Sequence, residues 1–291
     1  MRQTVTMMRS RCNADPIVRI TLLANRDLPS NLALNYLVKV LPQEYSLTLF
    51  LSESVGRAQS PPELRMLAFY EQTLPNKLWF PLIDAQHATG ELLTFNGLAK
   101  YLEAPALSLA DPNSEGGLST LANSAPDLMV SIRFGHILKS RAIAIPKRGV
   151  LNLHSGKLPE YRGVMATFRA MLNNDKELAS TIHWINSEAI DAGPVICHRA
   201  TPREPSRCYL ANVLSLYEAG CLALAGTINA LAQGQMPRSE AATGTGNYYS
   251  FPSTTDLARF DAAGYQWADP DMLTALLARY QPPDRGGYEE T

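Results

Sequence analysis

Hydrophobic positions along this chain switch repeatedly between two spacings. Short continuous apolar runs alternate with stretches in which apolar residues recur every third or fourth position, the marks of strands and helices respectively. Ile17–Leu23 (IVRITLL) predicts a first strand and Ser46–Leu51 a second. Between them Ser30–Leu41 has helical spacing, with Ser30 placed to cap it and Pro42 to stop it. Pro61, Pro62 and Glu63 open a further helix to about Tyr70, since proline in a first turn removes only an N–H that would lack a partner there. Gly90–Tyr101 reads as helical, Ala106–Leu109 as a short strand and Asn113–Asn123 as a loop leading into a helix. Asp127–Ile132 and Val150–Leu153 are continuous apolar strands. Thr181–Ile185 and Val195–His198 are strands around the loop 186–194. A long helix is predicted from about Ser206 to Ala232, closed by Gly234.

Strands that alternate with helices and are apolar on both faces predict an α/β fold: a Rossmann-like, mainly parallel sheet with helices on both faces, plus a small C-terminal extension. The expected divisions are an N-terminal tail over 1–15, a catalytic core over 16–234 and the extension over 235–291. Gln235–Asn247 is rich in small polar residues, Thr254–Ala262 and Pro270–Tyr280 have helical spacing, and the residues after Gln281 are expected to fray. In such a sheet ligands sit beyond the carboxyl ends of the strands. Three common uses of the fold lack their motifs. The first strand runs into Ala24-Asn25-Arg26-Asp27 where a dinucleotide site would need G-x-G-x-x-G, and neither G-x-x-x-x-G-K-[ST] nor G-x-S-x-G occurs.

Composition narrows the partners. Of 291 residues, 46% are hydrophobic and 18% charged, which argues against disorder. The net charge of -1, from 26 basic and 27 acidic side chains, offers no excess for a nucleic-acid backbone. Met1–Asp15 carries Arg2, Arg9 and Arg11 but no apolar stretch of a secretory signal, and no run has the length of a membrane span. The four cysteines, Cys12, Cys197, Cys208 and Cys221, show no metal-ligand or redox spacing. Reduced thiols and a cytoplasmic location are the expectation.

Chemistry concentrates in Gly149–Gly163, GVLNLHSGKLPEYRG. Asn152 and His154 are two apart on a strand and share a face. The chain then leaves the sheet through Ser155, Gly156, Pro159 and Gly163, a loop at a strand's carboxyl end. By itself an Asn/His pair on a strand is more often a core hydrogen-bonded pair than a site.

The wider pattern resembles the formyltransferase family, which includes methionyl-tRNA formyltransferases, glycinamide ribonucleotide transformylases, sugar N-formyltransferases and formyltetrahydrofolate hydrolases. The resemblance rests on N-L-H-S-G-K-L-P-E-Y-R-G, on Thr181-Ile182-His183 followed by Asp191-Ala192-Gly193-Pro194, and on the preceding strand Pro126–Val130. It implies Asn152, His154 and Asp191 as catalytic residues, 10-formyltetrahydrofolate as co-substrate and no metal. In those roles Asn152 donates to the developing oxyanion, His154 donates to it or relays a proton, and Asp191 orients His154. By the same analogy Ile132, Arg133, Phe134, Gly135 and Ile190 are candidates for the folate slot. Ser155, Gly156, Tyr161 and Arg162 are candidates for the acceptor side. His183, His136 and His198 read as structural.

The family leaves the acceptor open. The short, helical extension and the balanced charge favour a small-molecule amine, such as an amino-sugar nucleotide, an amino acid or a biosynthetic intermediate. A formyltetrahydrofolate hydrolase and a methionyl-tRNA formyltransferase are the alternatives. The aromatic run Asn247–Pro252 could shape the acceptor pocket or simply dock the tail. The apolar surplus of the long helix gives a mild expectation of a homodimer.

Overall fold

A computed structural model describes residues 18–53, 61–241 and 246–282. The expected tail over 1–15, with Cys12, and the expected frayed end beyond residue 282 lie outside the described residues. Strands β1 (Arg19–Asn25), β2 (Ser46–Ser52), β3 (Leu107–Ser108), β4 (Leu128–Ile132) and β5 (Val150–His154) are parallel. The full sheet order is β3-β2-β1-β4-β5-β7-β8, and β6 (Tyr161–Gly163) stands outside it. Its last two strands, β7 (Glu177–Ile185) and β8 (Val195–Pro202), are antiparallel to their neighbours; between β7 and β8 the loop 186–194 is too short for a parallel crossover. The strand order reverses between β1 and β4, which makes the carboxyl ends of those two strands the expected crevice.

Apolar side chains fill both faces. Ile20, Leu22, Val130 and Leu151 pack on one side with helices α1 (Leu28–Val40), α7 (Tyr209–Leu214) and α8 (Tyr217–Ala232). Leu23, Phe50, Met129 and Val150 pack on the other with α4 (Glu115–Asn123) and α5 (Ser140–Ile143). Residues 209–232 are apolar enough to span a membrane by length and composition alone, but 61% of the apolar window is buried inside the fold. Most of that apolar surface packs against α1 and the sheet within this chain, while Leu222 on α8 stays exposed.

Two helices differ from expectation. Helix α1 starts at Leu28, capped by Asp27, whose carboxylate accepts the Ser30 N–H at 2.7 Å. Ser30, expected as the cap, lies inside the first turn. Gly90–Tyr101 contains only a 3-10 turn at Gly97–Tyr101. Leu92, Leu93, Phe95 and Leu98 are buried as a helix would bury them, but the Leu93 N–H and carbonyl are both held by the Asn35 side chain, at 2.8 Å each. A tertiary amide replaces the local ladder there.

Residues 62–85 form one long helical rod: α2 (Pro62–Ala68), wide π-helical turns at Phe69–Thr73 and Pro75–Trp79, then α3 (Phe80–Ala85). Pro75 and Pro81 have no N–H for the ordinary ladder, and the turns before them widen. The C-terminal part is built into the core. Strand β9 (Asn247–Tyr249) pairs with β6, and α9 (Thr254–Ala262) and α10 (Pro270–Ala278) follow. Phe260 is fully buried, with its ring 4.9 Å from Phe168 on α6 (Ala166–Leu172) and 4.5 Å from Trp267. The Tyr280 hydroxyl donates to Asn31 on α1 at 2.6 Å.

Phe260→Ala should therefore lower stability by about 3–5 kcal/mol in one cooperative urea transition. A separate early transition, or no change in midpoint, would show that the C-terminal helices dock independently of the core.

Candidate active site

The strand register assembles the site. Ser131 on β4 pairs with Asn152 on β5, and Asn152 pairs with His183 on β7. Residues directly opposite share a face, so the three side chains form a row across the carboxyl edge. Asn152 Nδ2 lies 2.9 Å from His183 Nε2. The other ring nitrogen of His183 is 3.0 Å from the Trp184 carbonyl, which can only accept. That nitrogen therefore carries the proton, and Nε2 accepts one Asn152 N–H. The second Asn152 N–H has only a 3.4 Å approach to Asp191 Oδ1 and is the one available to a ligand.

His154 is oriented by the same logic. Its Nε2 is 2.7 Å from the Tyr161 carbonyl, so Nε2 carries a proton and donates. Its Nδ1 faces Asp191 Oδ2 at 3.5 Å. In the neutral ring Nδ1 is a free base; once protonated, it meets a carboxylate. Gly156 allows this placement, because a Cβ there would lie 2.7 Å from His154 Nε2 and 2.3 Å from the Ala166 Cβ. Thr181, paired opposite His154, donates its hydroxyl to the Gly156 carbonyl at 2.6 Å and pins the loop.

Asp191 joins these groups. Its Oδ2 accepts the Gly163 N–H at 2.8 Å and its Oδ1 lies 3.5 Å from His183 Nε2. Burial alone would raise its pKa, but the His154 charge, the His183 contact and the Gly163 N–H together hold it at about 2. Asp191, Arg133 and Met165 all have left-handed backbone and all line the cleft, so backbone strain gathers there.

The cleft has a volume of about 680 Å³ and contains the whole trio. Phe134, Ile137, Leu138, Ile185 and Ile190 give it apolar lining, and the rod of residues 62–85 adds Leu64, Phe69 and Glu71. Tyr248 and Phe251 of the C-terminal extension also line it. Of the residues proposed for folate, Arg133, Phe134, Gly135 and Ile190 reach the cleft. Ile132 is buried in the core beneath it. The Arg133 guanidinium is already engaged, and the Gly135 N–H donates to Ser52 Oγ at 2.9 Å. Of the residues proposed for the acceptor, only Ser155 lines the cleft. Gly156 packs behind His154. Tyr161 gives its hydroxyl to Asp175 at 2.6 Å, and burial pushes that phenol up to about 12. Arg162 donates to the Ile190 carbonyl at 3.0 and 2.8 Å, fixing the loop from behind.

Residues the sequence reading passed over also meet here. His183 is buried, as a structural histidine would be, yet it holds Asn152. Its signal was the strand spacing opposite Asn152, legible only once the antiparallel pairing is known. Glu71 carries no motif at all.

At the carboxyl edge of this α/β sheet an amide, two imidazoles and a carboxylate share one cleft. Residues 99–207 match the family model described as Formyl transferase. A methionyl-tRNA formyltransferase from Frankia casuarinae is 32% identical over 194 residues, 66% of this chain and 55% of that protein. One from Thermus thermophilus is 35% identical over 111 residues, 37% of this chain and 36% of that protein. The chain thus spans about half the length, or less, of these curated relatives. Among solved structures, a sugar N-formyltransferase from Shewanella sp. superposes with a TM-score of 0.54 at 15% identity, covering 87% of this chain and 94% of its own. A phosphoribosylglycinamide formyltransferase from Anaplasma phagocytophilum gives 0.52 at 18%, covering 79% and 95%. Over residues 99–207 the chain resembles the formyl transferase family, and it has the fold of these solved structures.

Because the folded-state pKa of Asp191 is depressed, its stabilisation is complete above the unfolded carboxylate value and is lost as pH falls toward about 2. A shift of that size corresponds to about 2 kcal/mol. The stability difference between the wild type and Asp191→Asn should narrow as pH falls from 5 toward 3 in urea titrations. A difference that stays constant over this range would show that Asp191 is not held low.

Proposed function

We propose that the protein transfers the formyl group of 10-formyltetrahydrofolate to the amine of a small-molecule acceptor. The observation that carries this reading is the orientation of the trio: an Asn152 N–H held only by a 3.4 Å bond to Asp191, a His154 Nδ1 open to a proton and Asp191 behind it, all in one cleft. The apolar wall of Phe134, Ile137, Leu138, Ile185 and Ile190 suits a flat pterin, and the volume is ample for a folate and a small amine together. Folate supplies the activated formyl carbon.

The side chains divide the work. Asn152 donates its second N–H to the formyl oxygen, where negative charge develops as the amine attacks. His154 takes the amine proton at Nδ1, and Nε2 stays tied to the Tyr161 carbonyl throughout. Asp191 stabilises the resulting imidazolium at 3.5 Å and remains ionised at any physiological pH. The same proton is then at hand for the departing folate nitrogen. His183 keeps the Asn152 amide turned toward the substrate.

A small acceptor fits better than a tRNA. The chain has no net positive charge, and Glu71, Glu188 and Asp191 place carboxylates on the cleft wall. The described cysteines, Cys197, Cys208 and Cys221, are free, which fits the reducing cytoplasm we assign to it.

Asn152→Ala should lower kcat by about 100-fold to 1,000-fold, the usual loss for one oxyanion donor, with the thermal midpoint nearly unchanged. His154→Ala should lower it at least as far. The measurement is tetrahydrofolate release across a panel of amines; full activity in either folded variant would refute the assignment.

A further inference from the structure

The cleft has a polar end that the mechanism does not use. It lies at the crevice between β1 and β4, where a helix N-terminus in this kind of fold ordinarily receives an anion. Here the chain supplies its own. Asp27 Oδ1 caps α1 on the Ser30 N–H at 2.7 Å. Its Oδ2 accepts from Asn25 at 2.8 Å and from the Arg133 guanidinium at 3.1 and 3.0 Å. Arg133 also donates to Glu71 Oε2 at 3.2 Å. Two carboxylates therefore face one guanidinium, and neither the helix end nor the cation is left for a phosphate. A further anion would add like charge to a site that already carries an excess of it.

Glu71 is the asymmetric member. It lies on the cleft wall and is only 7% exposed. Its Oε2 has Arg133, but its Oε1 is buried with no hydrogen-bond partner. Buried acceptors without partners are uncommon, because desolvation is then uncompensated. Burial and the neighbouring Asp27 push the Glu71 carboxyl up to about 7 against the opposing pull of Arg133. Glu71 also sits in a π-helical turn, a distortion that recurs at functional sites. The apolar side chains of the cleft suit folate, which leaves the Glu71 carboxyl to the acceptor. Arg133 follows directly on the last paired residue of β4, Ile132, and lines the same cleft as His154.

We infer that Glu71 is a specificity-determining residue: its free Oε1 receives a hydroxyl or ammonium donor of the acceptor, which carries no phosphate at that end of the cleft. The inference rests on the transferase reading and names its substrate class, an amine with a second hydrogen-bond donor.

The test uses matched amines that differ only by a phosphate ester: glucosamine and glucosamine 6-phosphate, ethanolamine and phosphoethanolamine, serine and phosphoserine. Each is assayed with 10-formyltetrahydrofolate, following tetrahydrofolate release for the full chain and for Glu71→Gln. Binding of 5-formyltetrahydrofolate and the thermal midpoint report that each variant is folded and holds folate. If Glu71→Gln fails to fold, Glu71→Asp, which keeps the charge and shortens the reach, takes its place. The expected result is a preference of about tenfold or more for the phosphate-free member, carried mainly by KM, and loss of much of that preference in the variant with folate binding intact. Equal or better use of the phosphorylated members, or an unchanged kcat/KM for every acceptor in the variant, overturns the inference and leaves the transferase reading standing. Folate binding without transfer to any amine overturns both.

Discussion

The Asp191 carboxylate is the point on which the site depends. One oxygen faces His154 and accepts the N–H of Gly163; the other faces His183 and Asn152. Four segments of chain, from β5, β6, β7 and the loop after β7, converge on two oxygens. Removing water from a carboxylate is costly unless donors and charge replace it. Here the Gly163 N–H and the Asn152 amide donate to it, positive charge on His154 favours its ionised form, and the group is held ionised well below neutrality. A fixed negative charge behind His154 makes Nδ1 a good place for a proton without a large rearrangement when it arrives.

That arrangement reaches into the C-terminal extension. Gly163, whose N–H holds Asp191, has a left-handed backbone, and a Cβ there would lie 2.2 Å from the Tyr249 carbonyl. The next residue, Val164, donates its N–H to that same carbonyl at 2.8 Å. Strand β9 is thus seated on the loop that positions the carboxylate, with Arg169 4.9 Å over the Tyr249 ring. Tyr248 and Phe251 are carried to the cleft by this pairing. The extension is at once a docked tail and a wall of the cleft, the two roles its aromatic run left open in the sequence.

Much of this was legible in the residues, for identifiable reasons. Strands β1, β2, β4 and β5 are buried on both faces and announce themselves as continuous apolar runs. Asn152 and His154 follow from the two-residue period of a strand, but Asp191 lies far off in sequence and was reached only through the resemblance. His183 was judged by its own neighbourhood; its partner is set by antiparallel register, which local sequence does not encode. Gly156, Tyr161 and Arg162 belong to the signature loop yet work behind it, since a loop must be held from beneath to present anything on top. Gly90–Tyr101 imitates a helix through the spacing of Leu92, Leu93, Phe95 and Leu98, while Asn35, remote in sequence, takes the hydrogen bonds. Glu71 was invisible because prolines break the periodicity of the rod that carries it.

The central claim is that the trio moves a formyl carbon from folate to an amine. Supplying 10-formyltetrahydrofolate labelled isotopically at the formyl carbon, together with an amine panel, follows that carbon directly by mass spectrometry and NMR. The label should appear as a formamide on one acceptor, with tetrahydrofolate released in equal amount. Label recovered as free formate regardless of amine, or retained on folate throughout, would contradict the account.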